Sequence, residues 1–261
     1  MLKEISKKLL LSFIKKDSTV YKWFETKYRH GFLAPPNTNS ITDIITHYCS
    51  KKKDKIFFVQ IGANNGVSND PLNKFILADG WSGLLVEPLP DVFEVLKKNY
   101  LGTRANLLFE NAAIGSINGE VPFYYVENSE YRLPEWTSQL SSFNKDVVVK
   151  NLSGHPHLIQ LIKCVNIKTL TFSSLIEKYK IQKIDLLHSD TEGFDYQILK
   201  TINFSEIHPD IILFESIHLS RSDFAKTVRL LKKADYEVFV CGSDSIAIDK
   251  QFSSLIMLAS N

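Results

Sequence analysis

Ile56-Phe57-Phe58-Val59-Gln60-Ile61-Gly62-Ala63-Asn64-Asn65-Gly66 is the stretch that decides the fold. A short apolar run rich in aromatic and β-branched residues ends abruptly in a turn bounded by glycines. Such a run has the look of a strand buried on both faces of a parallel sheet. Glycine directly after it lets the backbone turn sharply and come close to a ligand.

Working outward, residues 82–87 form a second run of this kind, and 106–110, 184–188 and 211–214 form further ones. Helical stretches near 71–78, 92–100, 170–179, 192–202 and 222–234 alternate with them. Strand-helix alternation predicts an α/β fold with a doubly wound, mostly parallel sheet, whose ligands bind at the carboxyl ends of the strands. Residues 237–240 and 254–258 read as closing strands. Asn118-Gly119 within 114–126 is a hairpin signal. Residues 127–160 look irregular and are rich in Ser, Tyr, Trp and His; a substrate lid is assigned to about 127–165. Residues 2–28 carry Leu2, Ile5, Leu9 and Phe13 at helical spacing with lysines between, and a second helix is expected to end near Tyr48. The division is a basic helical extension over 1–54 and one α/β domain over 55–261.

Charge sharpens that division. Residues 1–55 carry 12 Lys or Arg against 5 Asp or Glu, whereas the remainder carries 19 against 24. The basic segment is read as a solvated helical face, with peripheral contact to anionic lipid as the functional alternative. The composition, 44% hydrophobic and 23% charged, is that of an ordinary soluble domain. No apolar run approaches the roughly 20 residues of a membrane span, and no secretory signal is evident. Cys49, Cys164 and Cys241 are widely spaced, as free thiols are, and give no zinc pattern. The expected setting is the cytoplasm, with or without membrane contact, and nucleic acid is not an expected partner. The oligomeric state is not legible.

The second strand ends at Glu87, 21 residues after Gly66. A carboxylate there can accept hydrogen bonds from both hydroxyls of a ribose. The dinucleotide fingerprint and the phosphate-binding loop are both absent, and the loop carries no basic residue to meet a phosphate. A nucleoside without phosphates fits best, and S-adenosylmethionine is the common one. The third strand runs into Glu110-Asn111-Ala112-Ala113, where Asn111 can bond an adenine edge and Ala112 leaves room for the ring.

These residues resemble the FkbM family of methyltransferases. The resemblance is carried by Val59-Gln60-Ile61-Gly62-Ala63-Asn64-Asn65-Gly66, Val86-Glu87-Pro88, Asn111-Ala112-Ala113-Ile114-Gly115, Ile184-Asp185-Leu186-Leu187-His188-Ser189-Asp190-Thr191-Glu192-Gly193-Phe194-Asp195 and Leu213-Phe214-Glu215. It implies a class I methyltransferase fold, a Rossmann-like sheet of seven mostly parallel strands flanked by helices. It further implies transfer of a methyl group to a hydroxyl, typically of a sugar or a polyketide-like natural product. Gln60 stands where many members carry Asp. An amide can still hold the loop, but not as a charge beside the methionine ammonium. The cofactor residues so implied are Gln60, Gly62, Ala63, Asn64, Gly66, Glu87, Pro88, Asn111, Ala112 and Asp190.

Methyl transfer needs the acceptor oxygen aligned and its proton removed. Leu186, His188 and Asp190 share one face of an extended strand. His188 and Asp190 therefore form a candidate pair at the strand's carboxyl end, with histidine suited to act as base near neutral pH. Asp190 alternatively caps the helix expected over 192–202, in whose first turn Glu192 and Asp195 would favour the dipole. Glu215 ends the neighbouring strand and completes the catalytic set. Asp190, Glu192 and Glu215 also offer oxygen ligands to Mg2+, but nothing in their spacing demands a metal and none is assigned. Tyr124, Tyr125, Tyr131, Trp136, Phe143, His155 and His157, with Ser138, Ser141 and Ser142 among them, would suit a glycan or simply build a lid core. The reading is an O-methyltransferase of a sugar, glycan or glycosylated natural product. The alternatives are an amine or carboxylate acceptor, and a non-catalytic nucleoside-binding module.

Overall fold

A computed structural model describes residues 41–52, 54–127, 133–134, 137 and 140–252. The basic N-terminal helix over 2–28, Tyr131, Trp136, Ser138 and the strand expected over 254–258 lie outside the described residues. The chain enters with helix α1 (Ile41–Lys51), then β1 (Phe57–Ile61), α2 (Asn73–Asp79), β2 (Ser82–Val86), α3 (Pro90–Asn99) and β3 (Leu107–Glu110). It continues through β4 (Ala113–Ile114), β5 (Gly119–Val126), β6 (Ser141–Ser142), α4 (Lys145–Asn151), a 3-10 turn (Pro156–Leu161) and β7 (Ile162–Leu170). The last third holds α5 (Phe172–Tyr179), β8 (Leu186–Ser189), α6 (Asp195–Leu199), β9 (Ile211–Glu215), α7 (Arg221–Lys233), β10 (Tyr236–Cys241) and β11 (Asp244–Asp249).

Seven strands form one sheet in the order β10-β11-β9-β8-β1-β2-β3. All neighbours are parallel except β11, which runs antiparallel to both β9 and β10. This is the seven-stranded, mostly parallel sheet that the resemblance implied. Successive strands step outward from β1 through β2 to β3, then restart on its other side at β8. The crevice between the carboxyl ends of β1 and β8 is thus the topological switch point, where such sheets bind ligands.

Alternation along the strands divides the core in two. Val59, Ile61, Leu187 and Phe214 pack with Leu175 of α5, Ile198 of α6 and Phe224 and Leu231 of α7. Phe58, Leu85, Leu186 and Leu213 pack on the other face with Ile45 of α1, Ile76 of α2 and Leu96 of α3. Each fully buried side chain of this size contributes roughly 1.5–3 kcal/mol. Helix α1 is fixed below the sheet as well: Lys52 donates to Asp185, to Asp210 at 2.8 Å and to Tyr48 Oη at 2.8 Å. No helix among the described residues is long and apolar enough to cross a membrane.

Three local expectations are corrected. The 114–126 hairpin does not form: β4 and β5 both pair with β7, which lies between them in a second sheet ordered β4-β7-β5-β6. Asn118 Oδ1 instead accepts from Thr171 N at 2.8 Å, which holds the wide crossing in place. The stretch read as irregular contains β6, α4 and the 3-10 turn, which close a small core of Val126, Val148, Leu152, Leu158 and Leu161 over β5. The helix expected over 192–202 is only Asp195–Leu199, because Glu192 (φ 52°) and Gly193 (φ 95°) are left-handed and end any helical path through them.

Buried Glu110 joins the two sheets. It accepts from Lys168 of β7 at 2.8 Å, from Tyr179 of α5 at 2.8 Å and from Lys178. Burial pushes its carboxyl up, but these three donors outweigh burial and hold it below the ordinary range.

Candidate active site

The switch point opens into a cleft of about 400 Å³. Its first wall is the glycine loop. Gly62 and Ala63 both donate their N–H to Val86 O at 3.0 Å, closing the loop over the end of β2. Gly62 takes φ 79°, and a Cβ there would lie 1.8 Å from Asp190 O. Only glycine allows the β1 and β8 exits to approach so closely. Asn64, also left-handed at φ 47°, donates its N–H to Glu87 Oε2 at 2.9 Å, while Glu87 Oε1 accepts from Leu89 N at 2.9 Å. Glu87 therefore organises the loop with one lone pair on each oxygen and keeps others for a ligand. Burial pushes its carboxyl up to about 7, partly offset by the two N–H donors.

Gln60 Nε2 donates to Asp70 Oδ2 at 3.1 Å, and Gln60 Oε1 is buried with no hydrogen-bond partner. Asp70 also accepts from Leu72 N at 2.8 Å, and burial pushes it up to about 6. Asp70 thus brings a carboxylate against Gln60 in the cleft lining. Asp70 was not singled out in the sequence, since it lies in the connection between β1 and α2 rather than at a strand end. The left-handed Asn69 (φ 57°) was its only local signal.

Of the expected cofactor residues, Gln60, Gly62, Ala63, Asn64, Glu87, Pro88, Ala112 and Asp190 line the cleft. Gly66 and Asn111 do not. Gly66 sits behind the loop, its carbonyl accepting from Tyr100 Oη at 2.6 Å and Asn73 Nδ2 at 2.7 Å. Asn111 Nδ2 donates to Glu87 O at 2.8 Å and Pro88 O at 3.1 Å, so this amide holds the β2 exit.

The opposite wall is acidic. Asp190, Glu192, Glu215 and Asp244 line it, and no lysine or arginine is among the described lining residues. Asp190 does not cap a helix; its N–H donates to Ile61 O at 3.0 Å and extends the β8–β1 ladder. Burial drives its carboxyl well above the ordinary range, reinforced by Asp195, Glu192, Asp244 and Asp70. Glu215 is driven up likewise by burial and then by Asp190, Glu192, Asp195 and Asp244. Burial and Asp195 push Glu192 to about 7, and Asp195, which accepts from Ser189 Oγ at 2.6 Å, rises to about 7 through burial. His188 is 3% exposed, and its Nδ1 has no hydrogen-bond partner. Burial pushes its imidazole down to about 4, below the near-neutral range of an exposed histidine. Burial thus moves the carboxylates of this wall up and His188 down.

The third wall comes from the second sheet. Phe143 lies 5.2 Å from Phe123 and 4.7 Å from Phe194 between ring centroids, with Ser141 and Ser142 beside it. Tyr124 and Tyr125 pack into the lid cores instead. His155 and His157 are exposed and 6.1 Å apart, away from the cleft lining.

A family model described as the methyltransferase FkbM domain matches residues 60–238, which contain the glycine loop, Glu87 and, of the acidic wall, Asp190, Glu192 and Glu215. The chain belongs to the FkbM methyltransferase family. Membership implies S-adenosylmethionine-dependent methyl transfer. No match is found among curated protein sequences. Among solved structures, the chain is similar to a methyltransferase FkbM from Methylobacillus flagellatus KT at 14% identity and TM-score 0.49. That match covers 92% of this chain but only 57% of the other protein's length. An RNA methyltransferase from Salinibacter ruber in complex with S-adenosyl-L-homocysteine matches at 10% identity and TM-score 0.39, over 82% of this chain and 94% of that one. Aeropyrum pernix fibrillarin with natively bound S-adenosyl-L-methionine matches at 11% and 0.38, over 76% and 66%. The acid-rich turn Asp190-Thr191-Glu192-Gly193 lies within the matched residues, and the structure brings its start against the glycine loop, where a Cβ on Gly62 would meet Asp190 O.

Proposed function

We propose that this FkbM family member is an O-methyltransferase acting on a hydroxyl of a sugar, glycan or glycosylated natural product. The observation that carries the reading is one continuous cleft with a nucleoside-shaped wall at Gly62–Glu87, an acidic wall at Asp190 and Glu215, and an aromatic wall at Phe143. When bound, S-adenosylmethionine supplies a sulfonium methyl group to an attacking oxygen.

The residues present fit that ligand. Glu87 has lone pairs left for ribose hydroxyls, and Ala112 leaves the purine side unobstructed. Gln60 Oε1, buried without a partner, and Asp70, buried without a cation, together suit the methionine ammonium. On the acceptor side Phe123, Phe143 and Phe194 offer apolar faces to the C–H surface of a sugar, and Ser141, Ser142 and the carboxylates can bond its hydroxyls. Asp190 is the group we assign to proton removal. It stands at the β8 terminus beside the glycine loop, and its raised proton affinity matches a base that must take a hydroxyl proton as the new C–O bond forms. His188, neutral beneath it, is assigned to positioning.

An amine acceptor is the second reading, favoured by the same carboxylates facing a cleft with no lysine or arginine among its described lining residues. A carboxylate acceptor would meet like charge on that wall. Methyl transfer from isotopically labelled cofactor into host glycan fractions, with linkage analysis of the product, tests the proposal. Label in an alkali-stable methyl ether supports it. Label only in N-methyl product, or none with a folded and cofactor-bound protein, overturns it.

A further inference from the structure

At the acceptor end of the cleft Glu192, Glu215 and His218 bring one donor atom each within 4.8 Å of one another. His218 was not singled out in the sequence, because it lies in the loop after β9 rather than in a motif. Its Nε2 is 3.4 Å from Glu192 Oε2 and 3.4 Å from Glu215 Oε1. Both distances exceed the roughly 2.7–2.9 Å of a charge-assisted hydrogen bond. They match the separation of about 3.0–3.4 Å between two donors that each sit about 2.1 Å from a shared ion.

A second observation also points to a ligand. Glu215 is 8% exposed, yet its Oε2 has no hydrogen-bond partner, and neither has Glu192 Oε2. Buried carboxylate oxygens without donors are costly unless a cation meets them. The backbone holds the arrangement under strain: Glu192 is left-handed at φ 52°, and a Cβ on Gly193 would come within 3.0 Å of His218 O. Strain of this kind costs on the order of 1–3 kcal/mol and gathers at functional sites.

We propose that Glu192, Glu215 and His218 bind a divalent transition-metal cation at the acceptor end of the cleft. A nitrogen with two carboxylate oxygens suits Mn2+, Fe2+, Co2+ or Zn2+, whereas Mg2+ prefers an all-oxygen shell. Three protein donors leave positions open, and His218, one-third exposed, leaves an entry side. Asp190 and Asp244 line the same cleft, and no lysine or arginine is among its described lining residues. Within the methyl-transfer reading above, the open positions take adjacent acceptor hydroxyls; binding of the metal does not depend on that reading.

Mn2+ is the probe. The full chain, treated with chelator, is titrated with MnCl2, and free Mn2+ is followed by its electron paramagnetic resonance signal. One site per chain is expected, displaced by Zn2+ and not by equimolar Mg2+. Glu215→Gln and His218→Ala should each weaken it by at least about 10-fold, while Asp223→Asn on α7 leaves it unchanged. Since a variant can fail to fold, paramagnetic broadening of the His218 ring resonances in the unaltered protein gives an independent reading. No saturable binding by ~1 mM, equal binding by His218→Ala, or an unbroadened His218 would overturn the site and leave a simple imidazolium bridge between two carboxylates.

Discussion

The glycine-loop wall and the acidic wall of the cleft are built from opposite materials. On the glycine-loop side nearly every polar group already has a backbone partner: Glu87 accepts from Asn64 and Leu89, Asn111 donates to two carbonyls, and Gly62 and Ala63 share Val86 O. Along the acidic wall Asp190, Glu192 and Glu215 all have raised proton affinities, and Glu192 Oε2 and Glu215 Oε2 are buried without a hydrogen-bond partner. A wall whose backbone satisfies its own side chains is preorganised and recognises shape. A wall left electrostatically unfinished awaits a proton, an acceptor hydroxyl or a cation. The contrast separates binding from chemistry, and substitutions on either side should separate them too.

The largest effect is expected from Asp190→Asn. Turnover should fall by about 10²–10⁴-fold, the range for loss of a general base, with affinity for S-adenosylhomocysteine nearly unchanged in calorimetry. A matching loss of affinity would mean that the acidic wall holds the cofactor instead. Gly62→Ala comes next. It forces a Cβ against Asp190 O at a positive φ, and chemical denaturation should register about 2–4 kcal/mol of lost stability. Glu87→Gln should weaken S-adenosylhomocysteine by about 10–100-fold, since a charged acceptor bond contributes roughly 1.5–3 kcal/mol, without lowering turnover at saturation.

The smallest effect is in pH. Folded, Glu87 keeps its proton up to about pH 7, whereas unfolded it ionises near about 4.3. Unfolding therefore releases a proton across that window. Its contribution to stability is full below the lower value, is lost as pH rises through about 7, and is flat above. Asp70, Glu192 and Asp195, pushed up to about 6, 7 and 7 by burial, act in the same direction. His188, pushed down to about 4, opposes them from about pH 4 to 6.5. Comparison with Glu87→Gln isolates the first contribution. Denaturation curves at a series of pH values should show the native protein losing stability relative to the variant between pH ~4.5 and ~7. Parallel curves would contradict the burial argument.

Much of the sheet was legible because a doubly buried parallel strand announces itself within a few residues. Phe57–Ile61 and Ile211–Glu215 are cases, and β1, β2, β3, β8 and β9 all lie where the apolar runs placed them. β11 was missed: Ile246-Ala247-Ile248 is a short apolar core between aspartates, and only the Gly242 turn (φ 74°) marks the reversal. β7 was missed for a different reason. Val165, Ile167 and Thr169 do alternate with Asn166 and Lys168, but the pairing that gives this meaning lies some 45 residues back in β5, and the Asn118-Gly119 signal favoured a nearer partner. In the site, the glycine loop, Glu87, Asp190 and Glu215 could be read because each ends a strand. Asp70 and His218 could not. Their importance is set by which loops the fold brings together, and no periodicity encodes that. His188 was placed in the cleft, but the depth of its burial, which decides an imidazole's proton affinity, is not stated by one sequence.

The central claim is that the loop closed by Glu87 holds S-adenosylmethionine. Calorimetric titration of the full chain with S-adenosylhomocysteine tests it most directly. The account predicts saturable one-to-one binding that is abolished in Glu87→Ala. No detectable heat at high micromolar ligand, or the same affinity in Glu87→Ala, would contradict it.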